Sequence, residues 1–282
     1  MEVKRYTGDF FYEENVQKSV DRVIQSYKFS QHLGLGKLWV GFSGGKDSVC
    51  TYGVCKLAAK ELDMDVLDMC EFHYNVTGID QPPLVYFIKD EFPFVIWDMY
   101  ERTIFKIMEE KMFYPTRLMR FCCAELKEKG GNGRYCLMGV RRAESRNRST
   151  RGEYESIGNT RAEGKVFDID NTEDRRELEH CIPKNKYICN PIIDWSDDMV
   201  WEFIDKENLP YCRLYDEGWR RLGCLFCPMA TQEEKRRMAE EYPKMKKIFV
   251  KYLDKIIVLR KAKGLKCTWK DGEDMFNQWQ SK

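Results

Sequence analysis

Long apolar runs, internal repeats and low-complexity tracts are all missing from this chain. No uninterrupted apolar stretch approaches the ~18–20 residues that a membrane-spanning helix needs, so no span is expected. The start, Met1-Glu-Val-Lys-Arg-Tyr6, lacks the apolar segment of a signal peptide, and a cytoplasmic location is expected. Without repeats the chain is not a solenoid or array. With 33% charged and 43% apolar residues it is neither disordered nor fibrous, and 282 residues are enough to bury a core. Histidine is scarce, 3 residues, whereas cysteine is plentiful at 12. Disulfides are disfavoured inside cells, so metal binding or redox chemistry is the leading account of those thiols.

The net charge of +1 averages over an uneven distribution. Residues Arg117 to Arg151 carry 10 basic and 3 acidic side chains, and Arg220 to Lys270 carry 15 and 5. Two such segments in a nearly neutral chain suit a polyanion, although solvated helix faces would read the same way.

Apolar spacing predicts a helix over 13–33, then a buried strand at Lys37–Phe42 and a helix from Val49 to Leu62. Further strands are predicted at Val66–His73, Phe94–Met99 and Tyr135–Val140, with helices opening near Pro82-Pro83 and at about 102–112 and 121–129. This alternation implies a parallel sheet covered on both faces. Residues 149–186 are polar and weakly periodic, and read as an insertion or lid, or else as a plain connector. Ser196 is placed to cap a helix whose first turn holds Asp197 and Asp198, complementing the dipole. A basic helical region, roughly 232–263, is followed by a short tail. The expected organisation is a helical extension (1–36), a nucleotide-binding domain (37–230, with 149–186 inserted) and a basic helical region (231–282).

A strand, then Phe42-Ser-Gly-Gly-Lys-Asp-Ser48, then a helix, forms an anion cradle. Gly44 and Gly45 allow a sharp turn and close approach of phosphate oxygens to bare N–H groups. The helix opening near Ser48 aims its positive end at the same spot, and Lys46, Ser43 and Ser48 add charge and donors. It is not a Walker A loop, because Asp47 rather than Ser or Thr follows Lys46. The string resembles the PP-loop of the adenine nucleotide alpha-hydrolase superfamily. That resemblance implies an α/β, Rossmann-like parallel-sheet core with a helical C-terminal region. It also implies that Ser43, Gly44, Gly45, Lys46, Asp47 and Ser48 bind ATP, or the phosphosulfate end of a sulfonucleotide.

Gly223-Cys-Leu-Phe-Cys-Pro228 contains a CxxC and Arg120-Phe-Cys-Cys-Ala124 an adjacent pair. Such cysteines can serve zinc, an iron–sulfur cluster or a dithiol switch. Neighbouring side chains diverge, so Cys122, Cys123, Cys224 and Cys227 fit a [4Fe–4S] cluster better than one zinc. Cys-Cys, about a hundred residues, then CxxC resembles the signature of the iron–sulfur sulfonucleotide reductases of the phosphoadenosine phosphosulfate (PAPS) reductase-like family. Gly139-Val-Arg-Arg-Ala-Glu-Ser-Arg-Asn-Arg148 looks like that family's segment near the phosphosulfate. The resemblance therefore implies that Arg141, Arg142, Ser145 and Arg148 hold the phosphate-like end of the substrate. Asn190-Pro-Ile-Ile-Asp-Trp-Ser-Asp-Asp-Met-Val-Trp201 and Pro210–Gly218 match further family segments. The other eight cysteines (Cys50, Cys55, Cys70, Cys136, Cys181, Cys189, Cys212, Cys267) need no special role.

The C-terminal Glu-Cys-Gly-(Leu/Ile)-His motif of those reductases is absent. The late cysteine, Cys267, follows Lys266 where the family has Glu. Relatives of this type without that motif include enzymes resembling the DNA phosphorothioation proteins, and other members of the superfamily thiolate tRNA. The resemblance thus implies an ATP pyrophosphatase that adenylates its substrate with Mg²⁺ and supports sulfur transfer, with Lys46, Asp47 and Arg148 as catalytic candidates. The basic segments suit DNA or tRNA as the acceptor. A cysteine desulfurase or a thiol reductant would be the further partner, and a homodimer is compatible with this reading. Two alternatives remain: reduction of adenylylsulfate or PAPS to sulfite with Cys267 or a partner thiol as nucleophile, and a non-catalytic nucleotide- or redox-sensing subunit.

Overall fold

The computed structural model describes residues 6–128, 130–144, 148–157, 165–167 and 186–281. Its contacts divide the chain into two compact units. The first comprises Met1–Tyr74, Pro82–Trp97 and Gly131–Leu222, and the second Asn75–Gln81, Asp98–Gly130 and Gly223–Lys282.

The first unit is built on an α/β sheet. Its strands are β1 (Leu38–Gly41), β2 (Cys70–Asn75), β3 (Ile96–Asp98), β4 (Arg134–Met138), β5 (Tyr154–Ile157), β6 (Lys165–Phe167) and β7 (Lys186–Cys189). They are ordered β3-β2-β1-β4-β7-β5-β6. β1 runs parallel to β2 and β4, with Gly41 opposite His73 and Met138, and β4 runs parallel to β7. Leu38, Trp39, Val40, Tyr135, Cys136 and Leu137 are all buried, as strands covered on both faces require. Helices α1 (Tyr12–His32), α2 (Lys46–Glu61), α3 (Val66–Met69) and α4 (Pro82–Glu91) accompany β1 and β2. A ring cluster of Phe42, Tyr52, Phe72, Phe92 and Phe94 fills the space beneath α2.

Two differences from the sequence reading have local causes. The strand predicted at Val66–His73 begins only at Cys70, because the Asp65 side chain accepts from Leu67 N–H and closes Val66–Met69 into a helical turn. The sheet is not wholly parallel: β5, within the polar segment 149–186, runs antiparallel to both β7 and β6. Residues 158–164 and 168–185 of that segment lie outside the described residues.

In the second unit α5 (Ile104–Lys111) and α6 (Phe121–Leu126) are joined by three later helices. The α7 helix (Asp197–Lys206) belongs to the first unit, whereas α8 (Gln232–Glu241), α9 (Pro243–Ala262) and α10 (Gly272–Ser281) belong to the second. Thr231 and Glu234 form a reciprocal capping box that opens α8, and Pro243 occupies the first turn of α9. The short tail expected after residue 263 is instead α10, whose Met275, Phe276 and Trp279 are buried. Phe276 and Trp279 pack with Phe226 and Phe249 into a second aromatic core. Among the described residues, no helix is long and apolar enough to cross a membrane.

Candidate functional site

The glycine loop leaves the end of β1, where Phe42 N–H donates to His73 O, and runs into α2. Gly44 has φ +71°, and a Cβ there would lie 2.6–2.9 Å from Ile88 and Leu84 on α4. Only glycine satisfies both the conformation and the space. The helix opens at Lys46 rather than near Ser48, so Lys46, Asp47 and Ser48 occupy its first turn, where backbone N–H groups have no helical acceptor. Tyr215 Oη accepts from Lys46 N–H at 2.9 Å, and Ser48 Oγ donates to Gly45 O at 2.8 Å. Burial raises the Tyr215 phenol well above its ordinary value, so it stays protonated at neutral pH. On the other side the end of β4 closes in, since a Cβ on Gly139 would stand 3.0 Å from Asp47 O and Thr51 Oγ1.

Around this loop two cations meet two carboxylates. Lys46 Nζ lies 2.8 Å from Asp197 Oδ1 and 3.5 Å from Asp47 Oδ1. Arg141, 2% exposed, donates from Nε to Asp47 Oδ1 and from Nη2 to Asp197 Oδ1, both at 2.6 Å, and from Nη1 to Trp195 O at 3.2 Å. Desolvation works against the Arg141 charge, but Asp47 and Asp197 outweigh it and its pKa rises. Asp197 is likewise penalised by desolvation and stabilised more strongly by Lys46 and Arg141, which hold its carboxyl below the ordinary carboxylate range. Both carboxylates receive these cations on Oδ1, and neither Oδ2 has a partner among the described residues.

Among the described candidates in the arginine segment, Arg141 hydrogen-bonds Asp47 of the loop. Arg142 pairs with Asp194 and donates to Arg151 O, and Arg148 pairs with Glu144. Ser145 lies outside the described residues. Asp194 also binds Arg22, whose guanidinium reaches Glu153 and Pro191 O as well. This buried fork from α1 fixes the turn that leads to Ser196, which caps α7 by accepting from Met199 N–H, and so places Asp197. Sequence reasoning saw Asp197 as a helix-dipole residue and missed both its ion pairs and Tyr215. Their partners are 151 and 169 residues away, and no spacing rule links them.

The four candidate cysteines all belong to the second unit. Cys122 and Cys123 lie in the first turn of α6, and Cys224 and Cys227 in the turn after Gly223. Leu225 N–H donates to Ile79 O at 2.7 Å, and Gln81 N–H to Gly223 O at 3.2 Å, tying this turn to residues 79–81. Arg117 donates to Pro228 O and Ala230 O, binding it to the segment before α6. All four thiols are free and half-buried. Cys224 Sγ lies 3.6 Å from Thr77 Oγ1, which donates to Asp80 at 2.6 Å, and the Lys127 ammonium is within electrostatic reach of Cys224. Arg120 Nη2 lies 3.6 Å from Cys123 Sγ.

The neighbouring Cys122 thiol, and then Arg120, draw the Cys123 thiol well below its ordinary value against the cost of burial. The neighbouring Cys123 thiol, burial and the nearby Cys227 and Cys224 push Cys122 up. Burial raises Cys224 to about 12. These thiols are thus in electrostatic reach of one another. Yet among the described residues no three His, Cys, Asp or Glu side chains converge closely enough to hold a single metal ion. Cys267, in the loop between α9 and α10, is free and half-buried, whereas Cys50, Cys55, Cys70, Cys136, Cys189 and Cys212 are buried. Cys181 lies outside the described residues.

Comparison with known proteins gives a consistent family. An uncharacterized protein of Methanocaldococcus jannaschii is 27% identical over 217 residues, which are 73% of this chain and 39% of that protein. An adenosine 5'-phosphosulfate reductase of Staphylococcus haemolyticus is 38% identical over 55 residues, 19% of this chain and 22% of that enzyme. The chain spans about half or less of the length of the curated relatives it matches. A phosphoadenylyl-sulfate reductase structure from Candida auris aligns with 80% of this chain and 99% of its own, at 10% identity and a TM-score of 0.42. The model of the phosphoadenosine phosphosulfate reductase domain matches residues 37–230, more than half of the sequence, and the chain belongs to that family.

Proposed function

We propose that the chain is an ATP pyrophosphatase of this family that adenylates an acceptor and supports sulfur transfer to it, the acceptor being a nucleic acid. The observation that carries the reading is the loop: the first-turn amides of α2, of which Lys46 N–H is held by Tyr215 Oη, with Lys46 and Arg141 side chains beside them, a constellation suited to a polyphosphate. An acceptor oxygen attacks the α-phosphorus, the bond to the β-phosphate oxygen breaks, and pyrophosphate leaves with its charge neutralised by Lys46 and the loop amides. A sulfide-level sulfur, supplied by a partner donor, then attacks the activated centre of the acceptor; the new bond to sulfur forms as the bond to the acceptor oxygen breaks, and that oxygen leaves within AMP. Asp47 supports Mg²⁺ binding, because Oδ1 holds the cations and Oδ2 is available to a hard ion. Arg141 orients both carboxylates. Arg142 and Arg148 would have to release Asp194 and Glu144 before holding substrate.

The four thiols fit a [4Fe–4S] cluster. They come from two segments and lie beside two cations that can balance thiolate charge. When bound, such a cluster supplies reversible one-electron chemistry.

Anaerobic purification with an iron and sulfide count, followed by pyrophosphate release from ATP in the presence of transfer RNA or duplex DNA, tests the reading. About four irons per chain and acceptor-dependent pyrophosphate support it. A protein that neither binds ATP nor releases pyrophosphate with any nucleic acid overturns it. Sulfite release from a sulfonucleotide, lost in Cys267→Ser, would establish the reductase reading in its place.

A further inference from the structure

The α9 helix has a buried apolar face and an outward face that is mainly basic, with Ile248 and Val258 exposed beside the lysines. Phe249, Leu253, Ile256 and Ile257 are buried, and the helix packs against α5 and α10, with Tyr252 stacked on Phe105 at 4.4 Å. On the outward side stand Lys244, Lys247, Lys251 and Lys255, all exposed, at spacings of three and four residues that align them in one row. Lys255 is held by Glu109 at 3.1 Å. Lys244, Lys247 and Lys251 have no ion pair or hydrogen bond among the described residues. The nearby Asp254 carboxylate is already taken, accepting from Gly272 N–H at 2.6 Å.

Like charges three and four residues apart weaken a helix, so this row costs stability unless a polyanion neutralises it. From Lys244 to Lys255 the row rises about 16 Å along the axis, enough to follow several phosphates of one strand. An anionic membrane fits less well, because Phe249, Leu253, Ile256 and Ile257 are consumed inside the unit and only Ile248, Val258 and Leu259 are left exposed as apolar surface on this helix.

We propose that this face of α9 is a track for the phosphate backbone of the nucleic acid acceptor, an inference that rests on the acceptor class given above. Binding of labelled transfer RNA and of a duplex DNA to the full chain, measured by fluorescence anisotropy between 50 and 200 mM salt, tests it. Lys244→Gln/Lys247→Gln/Lys251→Gln is compared with a control of equal charge elsewhere, Lys28→Gln/Lys56→Gln/Lys60→Gln. The track predicts that the first variant lowers the slope of log K against log salt by about 0.9 per lysine, some 2.7 in all, on whichever nucleic acid binds. It also predicts that the corresponding triple Arg variant restores the slope and that the control leaves it unchanged.

Wild-type binding with an unchanged slope in the Gln variant, or an equal fall in the control, overturns the track alone. Failure of the wild type to bind either nucleic acid overturns the track and the acceptor class together, while ATP binding by the loop stands. Tighter binding to phosphatidylserine vesicles than to either nucleic acid assigns the face to a membrane and overturns it as well.

Discussion

In the loop site Lys46 and Arg141 already face Asp47 and Asp197, and the four charges cancel before any ligand arrives. In the cysteine site Arg120 and Lys127 face thiols, which carry charge only when deprotonated. The first arrangement is complete in itself and must exchange partners to take up a phosphate. The second reaches charge balance only as thiolates form, which is what metal ligation demands. Ligand loss should therefore leave the loop site in place and unbalance the cysteine site.

The largest effect expected from that contrast is on metal content. Cys224→Ser/Cys227→Ser should reduce bound iron and sulfide to background after anaerobic purification, with ATP affinity by isothermal titration unchanged. Retained iron would break the four-thiol assignment, and lost ATP binding would break the independence of the two sites.

Within the loop, Gly44→Ala should be the damaging change. It forces a side chain into the left-handed region, at about 1–2 kcal/mol, and pushes a methyl against Ile88 and Leu84, at about 1–3 kcal/mol more. Thermal unfolding with and without ATP should show a lowered midpoint and no ATP-induced rise. Gly45→Ala is the milder neighbour, because φ there is −76° and its Cβ would meet Tyr215 Oη at 3.4 Å. If both variants behave alike, conformation at Gly44 is not what shapes the cradle.

The same contrast explains what could be read from sequence. The loop, the strand before it and the Ser196 cap are local, with every determinant inside a few residues, and the alternation of strands and helices fixes the α/β class. Asp197 and Tyr215 act through contacts made by the fold across more than a hundred residues, so only the structure pairs them with Lys46. Thr77 and Asp80 reach Cys224 in the same way. The missed α10 is a different case, since Met275, Phe276 and Trp279 carried a helical spacing that a short polar segment obscured. The misread Val66–Met69 turned on one Asp cap preceding an apolar run that suits a strand equally well.

A smaller effect distinguishes the thiols from one another. In metal-free protein Cys123 is the acidic member, so iodoacetamide at neutral pH should modify it ahead of Cys122 and Cys224, as read by peptide mass spectrometry. Its reaction rate should fall only when the pH drops below the usual thiol range. Arg120→Gln should move that fall to higher pH, because the guanidinium favours the thiolate. A pH–rate profile unchanged by the substitution would mean that Cys122 and Lys127, not Arg120, set the acidity of Cys123.

The smallest effect is the most specific to the loop network. Asp197 binds two cations but its side chain is 72% exposed, so solvent screens the pair and its loss in Asp197→Asn should cost no more than about 1 kcal/mol at pH 7. Its carboxyl is held below the ordinary range, so the stabilisation is fully present above about pH 4 and disappears as pH falls through the lower folded-state value. Urea unfolding of wild type and variant should therefore differ by the same amount at pH 7 and pH 5, and converge toward pH 3. A difference that shrinks between pH 7 and 5 would mean that Asp197 titrates at a raised value, and one that stays constant down to pH 3 that it titrates at the ordinary one. The cations would then not be holding it, and the loop site would be no better balanced than the cysteine site.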